Sequence, residues 1–82
     1  MCLREGEAVR GALHTRRYRQ FRKRLKRART EAGLTQVEAA EQLKKPQSFV
    51  SKSESGERRV DVIELEAFAR AYGKSLMFFY EK

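Results

Sequence analysis

The segment from residue 33 to 59 constrains this chain most, because it holds two short helical patterns separated by about four residues. Thr35 and Glu38 have the spacing of a capping box, in which each side chain satisfies a free backbone N–H at the start of a helix. The break at residues 44 to 46 ends in proline, which is disfavoured inside a helix but tolerated at its start. We therefore predict a helix from Thr35, a tight turn, and a second helix from about 46 or 47 to 53 or 54.

Three further helical patterns flank this segment. Apolar residues recur at spacings of three and four from Tyr18 to Ala32, which predicts an amphipathic helix over about 16 to 32. Another apolar stripe follows Asp61, a candidate N-cap, and a short fifth helix is predicted through residues 76 to 80. Glycines are expected to end predicted helices 1, 3 and 4, at Gly33, Gly56 and Gly73. No alternating β pattern occurs, so the predicted class is all-α with five helices.

Composition limits how such a chain can be stabilised. Its 82 residues form one domain at most. We expect a flexible N-terminal tail over residues 1 to 15 and a folded domain over 16 to 82, which leaves about 65 residues to share one core. The single cysteine is Cys2 and the single histidine is His14, which excludes an internal disulfide and a cysteine or histidine metal cluster. No cofactor or metal is expected, and helix packing and dimerisation are the remaining supports.

The charge distribution indicates a polyanionic partner. The net charge is +8, and residues 8 to 30 hold ten arginines or lysines and no acid. That balance suits nucleic acid or an acidic membrane surface. No apolar run approaches the ~20 residues that span a bilayer, and the N-terminus has no continuous apolar segment of a secretory signal. We therefore expect a cytoplasmic protein that has no membrane partner. The basic block could contact phosphates or RNA, or be an ordinary charged surface.

Two amphipathic helices joined by so short a turn form a helix-turn-helix motif. In that geometry the second helix lies in the major groove of DNA, and the N-terminus of the first helix points at a phosphate. The second helix carries suitable side chains, since glutamine can bond adenine, serine any base edge, and lysine guanine. No paired acid and base or activated nucleophile can be assembled from the sequence, so an enzyme is not expected. The predicted ligand is double-stranded DNA.

The segment from about Phe21 to Gly73 resembles the Cro and phage-repressor (Xre-type) helix-turn-helix family. The residues that carry the resemblance are Leu25, Arg29, Gly33-Leu34-Thr35-Gln36, Ala40, Leu43, Gln47-Ser48, Val50 and Glu54-Ser55-Gly56. The resemblance implies a compact five-helix lambda-repressor-like DNA-binding domain, here with a basic, partly disordered N-terminal extension. It also implies that the protein is a dimer on its operator.

The resemblance assigns roles to individual residues. The residues that match base-reading positions are Gln47, Ser48 and Lys52. Those that match positions in contact with the DNA backbone are Gln36, Ser55, Arg58 and Arg59. Gln36 also resembles a glutamine that braces the first base-reading residue. Arg29 and Glu54 match a buried ion pair that ties the first helix to the end of the third.

Four residues depart from the family pattern. Ser53 stands where an aliphatic residue usually packs under the third helix, so either burial is lost or Ser53 faces outward. Lys44 replaces a common turn glycine, Ala39 replaces a larger apolar residue, and Lys74 stands where an aliphatic residue often packs. These departures bear on stability more than on fold.

Four large apolar side chains follow one another at the C-terminal end, and they cannot all face one small core. They are Met77, Phe78, Phe79 and Tyr80. Exposed apolar patches usually mark an interface, so we expect these residues to form a homodimer interface. The favoured function is regulation of transcription, most simply repression, at a near-palindromic operator. The alternatives are an antitoxin that binds its own operator and a toxin, a restriction-modification controller protein, and an RNA-binding or scaffold module.

Overall fold

The computed structural model describes residues 15 to 80, which fold into five α-helices. They are α1 (Arg16–Glu31), α2 (Gln36–Leu43), α3 (Gln47–Ser55), α4 (Val62–Tyr72) and α5 (Met77–Tyr80). No strand occurs in this part of the chain, and the predicted all-α, five-helix class is confirmed. The tail that we expected over residues 1 to 15 lies outside the described residues, apart from Thr15.

Local hydrogen bonds fix the start of three helices. The Thr35 hydroxyl accepts the Glu38 N–H at 3.1 Å, and the Glu38 carboxylate accepts the Thr35 N–H at 2.9 Å. Asp61 and Glu64 form the same reciprocal box at the start of α4, at 2.8 and 3.2 Å. Thr15 caps α1 through its side chain. These polar residues set the helix boundaries because they satisfy N–H groups that have no partner inside the helix.

The turn between α2 and α3 is three residues long and passes through a left-handed backbone conformation. Lys44 holds it with φ 59° and ψ 43°, and is the one non-glycine residue at positive φ among residues 15 to 80. Its N–H donates to Glu41 O at 3.2 Å, which closes the end of α2. A side chain in this conformation costs roughly 1–2 kcal/mol compared with glycine. Lysine in place of the usual glycine therefore preserves the turn but lowers the stability of the domain.

One apolar cluster lies between α3 and the other helices. Phe68 of α4 is fully buried at its centre, with its ring 5.6 Å from that of Phe49 and 5.8 Å from that of Tyr72. The buried apolar residues are Leu25, Ala28, Ala39, Ala40, Val50, Leu65, Phe68, Ala69, Tyr72 and Phe79. Because α1 and α2 both pack against α3, the core fixes the direction in which α3 presents its outer face.

Ser53 faces inward, under α3. It is fully buried, so the departure from an aliphatic residue does not turn this position outward. Its hydroxyl donates to Phe49 O at 2.7 Å and accepts a hydrogen bond from Arg58 Nη1 at 3.3 Å. A buried hydroxyl with both partners avoids the cost of an unsatisfied polar group. The site therefore loses apolar burial but gains a polar connection to the segment after α3.

Candidate nucleic-acid interface

α3 presents a polar face to solvent and turns its opposite face into the core. Gln47, Ser48 and Lys52 are exposed, whereas Val50 and Ser53 are fully buried. Since side chains four positions apart lie on the same side of a helix, Ser48 and Lys52 are neighbours on the accessible surface. All three residues assigned to base reading are therefore available to a ligand.

A series of side-chain contacts joins this polar face to the interior. Arg29 donates to both carboxylate oxygens of Glu54, at 2.6 Å from Nε and 3.1 Å from Nη2. The side chains of the pair are only 9% and 6% exposed. Gln36 donates to the same carboxylate at 3.1 Å, and Gln47 Nε2 lies 3.5 Å from Gln36 Oε1 as a donor to it. Gln36 thus bridges the buried ion pair and Gln47, the first residue of α3.

The Arg29 guanidinium connects three segments of the chain. Besides Glu54, it donates from Nη1 to Leu34 O, at 2.9 Å, in the turn between α1 and α2. The hydrogen bond to Glu54 raises the pKa of Arg29 above its ordinary value, against the opposing effect of burial. Arg29 therefore carries a positive charge at neutral pH, and it ties α1, the first turn and the end of α3 together.

Three of the residues assigned to the DNA backbone lie at the end of α3 or shortly after it, and they are in two environments. Arg59 and Ser55 are exposed. Arg58 instead forms two hydrogen bonds with Glu64, at 2.9 and 2.7 Å, and its guanidinium lies 4.4 Å from the centre of the Phe49 ring. The hydrogen bond between them raises the pKa of Arg58 and lowers the pKa of Glu64. Arg58 thus has a structural role, with its side chain 30% exposed.

The residues assigned to a dimer interface divide in the same way. Phe79 is only 2% exposed and belongs to the core, where its ring centre lies 6.2 Å from that of Phe21. Phe78 is half-buried beneath Lys74, whose Nζ lies 4.7 Å from the ring centre. Met77 and Tyr80 are 65% and 53% exposed. The exposed apolar surface of α5 is therefore formed mainly by Met77 and Tyr80.

An open groove of about 770 Å³ lies beside α5, between the start of α1 and the start of α4. The apolar part of its lining includes Phe21, Leu65 and Tyr80. Three arginines of α1 also line it, Arg16, Arg17 and Arg24, together with one carboxylate, that of Asp61. The groove thus combines apolar side chains with positive charge, on a surface separate from the polar face of α3.

Among the long-range contacts that sequence reasoning missed, two are made by cations. Arg22 reaches from α1 to the end of α3, where Nη1 donates to Ser55 O at 2.9 Å. Lys74 pairs with Glu31 at 2.6 Å, which joins the end of α1 to the segment before α5. Arg22 sits in a run of cations, so the sequence has no signal that separates it from its exposed neighbours.

Between residues 15 and 80, no three His, Cys, Asp or Glu side chains are grouped closely enough to hold a metal ion. No helix in that range combines the length and apolar character needed to cross a bilayer. Cys2 and His14 lie outside the described residues.

Comparisons with known proteins identify relatives of the whole fold. A family profile described as helix-turn-helix matches residues 25–79. The chain is similar to a solved structure, an XRE-family like protein from Pseudomonas syringae pv. tomato str. DC3000, with 43% sequence identity and a TM-score of 0.76. That similarity covers 88% of each chain. No curated protein matches the chain.

Proposed function

The chain belongs to the helix-turn-helix family of Xre type, whose members are DNA-binding regulators and not enzymes, and we propose that it represses transcription at a near-palindromic operator. In this proposal it acts in the cytoplasm as a homodimer. The observation that carries the proposal is the exposed face of α3, where Gln47, Ser48 and Lys52 project while the opposite face is buried.

The chemistry of this face suits direct reading of bases. Gln47 can form a bidentate pair with adenine, Ser48 can bond any base edge, and Lys52 suits the acceptors of guanine. Gln47 Nε2 lies 3.5 Å from Gln36 Oε1, a contact that favours one orientation of the Gln47 side chain before it meets a base. A helix in the major groove makes its base contacts through the residues of its first turn, and Gln47 lies in the first turn of α3.

Positive charge outside α3 supplies attraction that is independent of sequence. The net charge is +8, and α1 carries no acid before Glu31, its last residue. Arg59 is exposed in the segment that follows α3. Phosphate contacts of this kind set affinity and orientation, whereas base contacts set specificity. We therefore expect binding to weaken on all DNA as the salt concentration rises.

Gln47→Ala and Ser48→Ala are expected to reduce sequence preference and to leave non-specific binding largely intact. Loss of a base contact should weaken binding to the preferred duplex by roughly 1–3 kcal/mol. The measurement is the dissociation constant on a duplex selected from random DNA and on a random duplex. Gln42→Ala, the same change at an exposed position of α2, is the matched control. Equal weakening on both duplexes by the α3 variants would remove these residues from the reading site.

The homodimer is supported by apolar side chains that the monomer leaves exposed. Val62 and Ile63 at the start of α4 are 59% and 68% exposed, in addition to Met77 and Tyr80. Burial of such side chains against a second copy would stabilise a small domain. A twofold dimer would also present two α3 helices to successive major grooves, about 34 Å apart, as a palindromic site requires.

Replacing Met77 and Tyr80 together with serine is expected to shift the protein from dimer to monomer. Both side chains are exposed, so the fold of each chain should survive the change. Light scattering at micromolar concentration should give twice the chain mass of 9.6 kDa for the wild type and a mass near 9.6 kDa for the variant. Val37→Ser, at an exposed apolar residue of α2, should leave the mass unchanged. A wild type that is monomeric and has full operator affinity would rule out this interface.

A second candidate function is that of an antitoxin, and the groove beside α5 favours it. Its apolar lining and its three arginines suit a partner segment with apolar side chains flanked by carboxylates. The test mixes the protein with the separately purified product of the adjacent gene. A stable complex that Arg24→Glu weakens more than it weakens operator binding would support the antitoxin. If no complex forms at micromolar concentration, the antitoxin function is wrong, and repression remains the proposed function.

A further inference from the structure

The side chain of Arg22 crosses from α1 to the C-terminal end of α3. Its Nη1 donates to Ser55 O at 2.9 Å and to Glu54 O at 3.4 Å. These carbonyls belong to the last turn of α3, where backbone oxygens have no N–H partner within the helix. The same end of a helix carries partial negative charge, which a guanidinium stabilises. The Arg22 side chain thus caps α3 by binding its backbone carbonyls, so the cap does not depend on which side chains stand at 54 and 55.

Gly56 provides the space that this cap needs. A Cβ atom at position 56 would lie 2.9 Å from Arg22 Nε and 3.0 Å from its Cζ, closer than such atoms normally approach. Gly56 also has φ +90°, which disfavours any side chain. Gly33 and Gly73 share the positive φ, at +77° and +67°, but a Cβ at either would meet nothing within 4 Å. All three positions favour glycine because of their positive φ, but only at position 56 would a side chain also collide with a neighbour, Arg22.

We propose that Arg22 is a positioning residue for DNA reading, which it performs by fixing the C-terminal end of α3 against α1. The inference rests on the proposed function, in which α3 reads the operator. Gln36 restrains the first residue of α3, and Arg22 restrains its last turn. A nine-residue helix held at both ends keeps its side chains at fixed distances from the base edges. Base contacts are sensitive to such displacement, and phosphate contacts through long flexible cations are much less so.

The first test compares Arg22→Ala with Lys23→Ala. Both variants remove one cation from α1, but Lys23 is exposed. Arg22→Ala is expected to lower the ratio of affinity for the preferred duplex over random DNA by about tenfold. Lys23→Ala should weaken both equally and leave the ratio unchanged. Arg22→Lys, which keeps the charge and a donor, should recover part of the ratio. The proposal would be wrong if the two alanine variants had the same ratio of affinity for the preferred duplex over random DNA.

The second measurement does not depend on DNA. Amide hydrogen exchange should become faster in the last turn of α3 in Arg22→Ala, including the Gly56 amide that donates to Lys52 O. Exchange within α4 should stay as in the wild type. If the wild type shows no preference for any duplex sequence, the proposed function is wrong. The exchange rates still show whether Arg22 holds the end of α3. Unchanged exchange in α3 would overturn the cap.

A pair of glycine variants isolates the contact between Arg22 and Gly56. Gly56→Ala and Gly73→Ala both place a side chain at a positive φ, but only at position 56 would the added Cβ meet Arg22. Gly56→Ala is therefore expected to lower the specificity ratio, and Gly73→Ala is not. In an Arg22→Ala background, Gly56→Ala should have a smaller further effect, because the displaced group is absent. Effects of Gly56→Ala that are the same in both backgrounds would show that the two residues act independently.

Discussion

Replacing Arg29 with alanine is expected to lower the free energy of unfolding by about 3–5 kcal/mol. The change leaves the Glu54 carboxylate, whose side chain is 6% exposed, without its charge partner in the interior. It also removes the hydrogen bond to Leu34 O that holds the turn between α1 and α2. At roughly 0.05–0.15 kcal/mol per residue, this loss is a large share of the stability of a domain of this size. We expect the variant to unfold at a much lower temperature than the wild type.

Arg27→Ala is the matched control, because it removes an arginine of the same helix that also pairs with a glutamate. The Arg27–Glu31 pair has a similar length of 2.9 Å, but the Arg27 side chain is 68% exposed. Exposed pairs contribute about 0–1 kcal/mol, so this variant should be nearly as stable as the wild type. Urea denaturation followed by circular dichroism gives both values. Equal losses in the two variants would contradict the role assigned to burial.

The loss at Arg29 should extend to DNA binding even where the variant is kept folded at low temperature. Glu54 also accepts a hydrogen bond from Gln36, which in turn contacts Gln47. An unpaired carboxylate attracts solvent or another cation, and its orientation toward Gln36 is no longer fixed. Sequence preference is therefore expected to decrease together with stability. This coupling distinguishes the variant from a change in the apolar core.

The helix boundaries could be predicted from sequence because they depend on local chemistry. Thr35 and Asp61 cap helices through residues three positions away, and Gly73 ends α4, so neighbours along the chain contain the whole signal. The Arg29–Glu54 pair spans 25 positions, and only the resemblance to a family could suggest it. Periodicity alone places both residues on helices and does not bring them together.

The contacts that could not be predicted depend on how the helices cross. Arg22 and Arg58 stand among other cations, and nothing local distinguishes a cation with a fixed partner from a solvated one. The structure shows Arg22 on the carbonyls that end α3, and Arg58 between Glu64 and the Phe49 ring. Arg58 illustrates the consequence, since its chemistry fits a phosphate contact but its geometry gives it a partner within the chain.

α5 shows the same limit for apolar residues. Four consecutive large side chains predict that some are buried and some exposed, but a helix of four residues is too short for its pattern to show which. The packing of α5 against α1 determines which side chain is buried, because it places Phe79 against Phe21. Tests of dimerisation must therefore use Met77 and Tyr80, since a change at Phe79 alters the core of each chain.

Phe79→Ala is expected to lower the free energy of unfolding by about 3–5 kcal/mol, the usual cost of removing a buried phenylalanine ring. Its side chain fills the core beside Phe21 and is 2% exposed, so the vacated volume lies where α5 meets α1. Tyr80→Ala is the control, and at 53% exposure it should change stability by less than about 1 kcal/mol. Both should be measured in urea at a concentration where the wild type is monomeric, and again at a higher one. A loss for Phe79→Ala that appears only at the higher concentration would assign the residue to contact between copies. A loss that is the same at both concentrations assigns it to the core, as the burial of its ring requires.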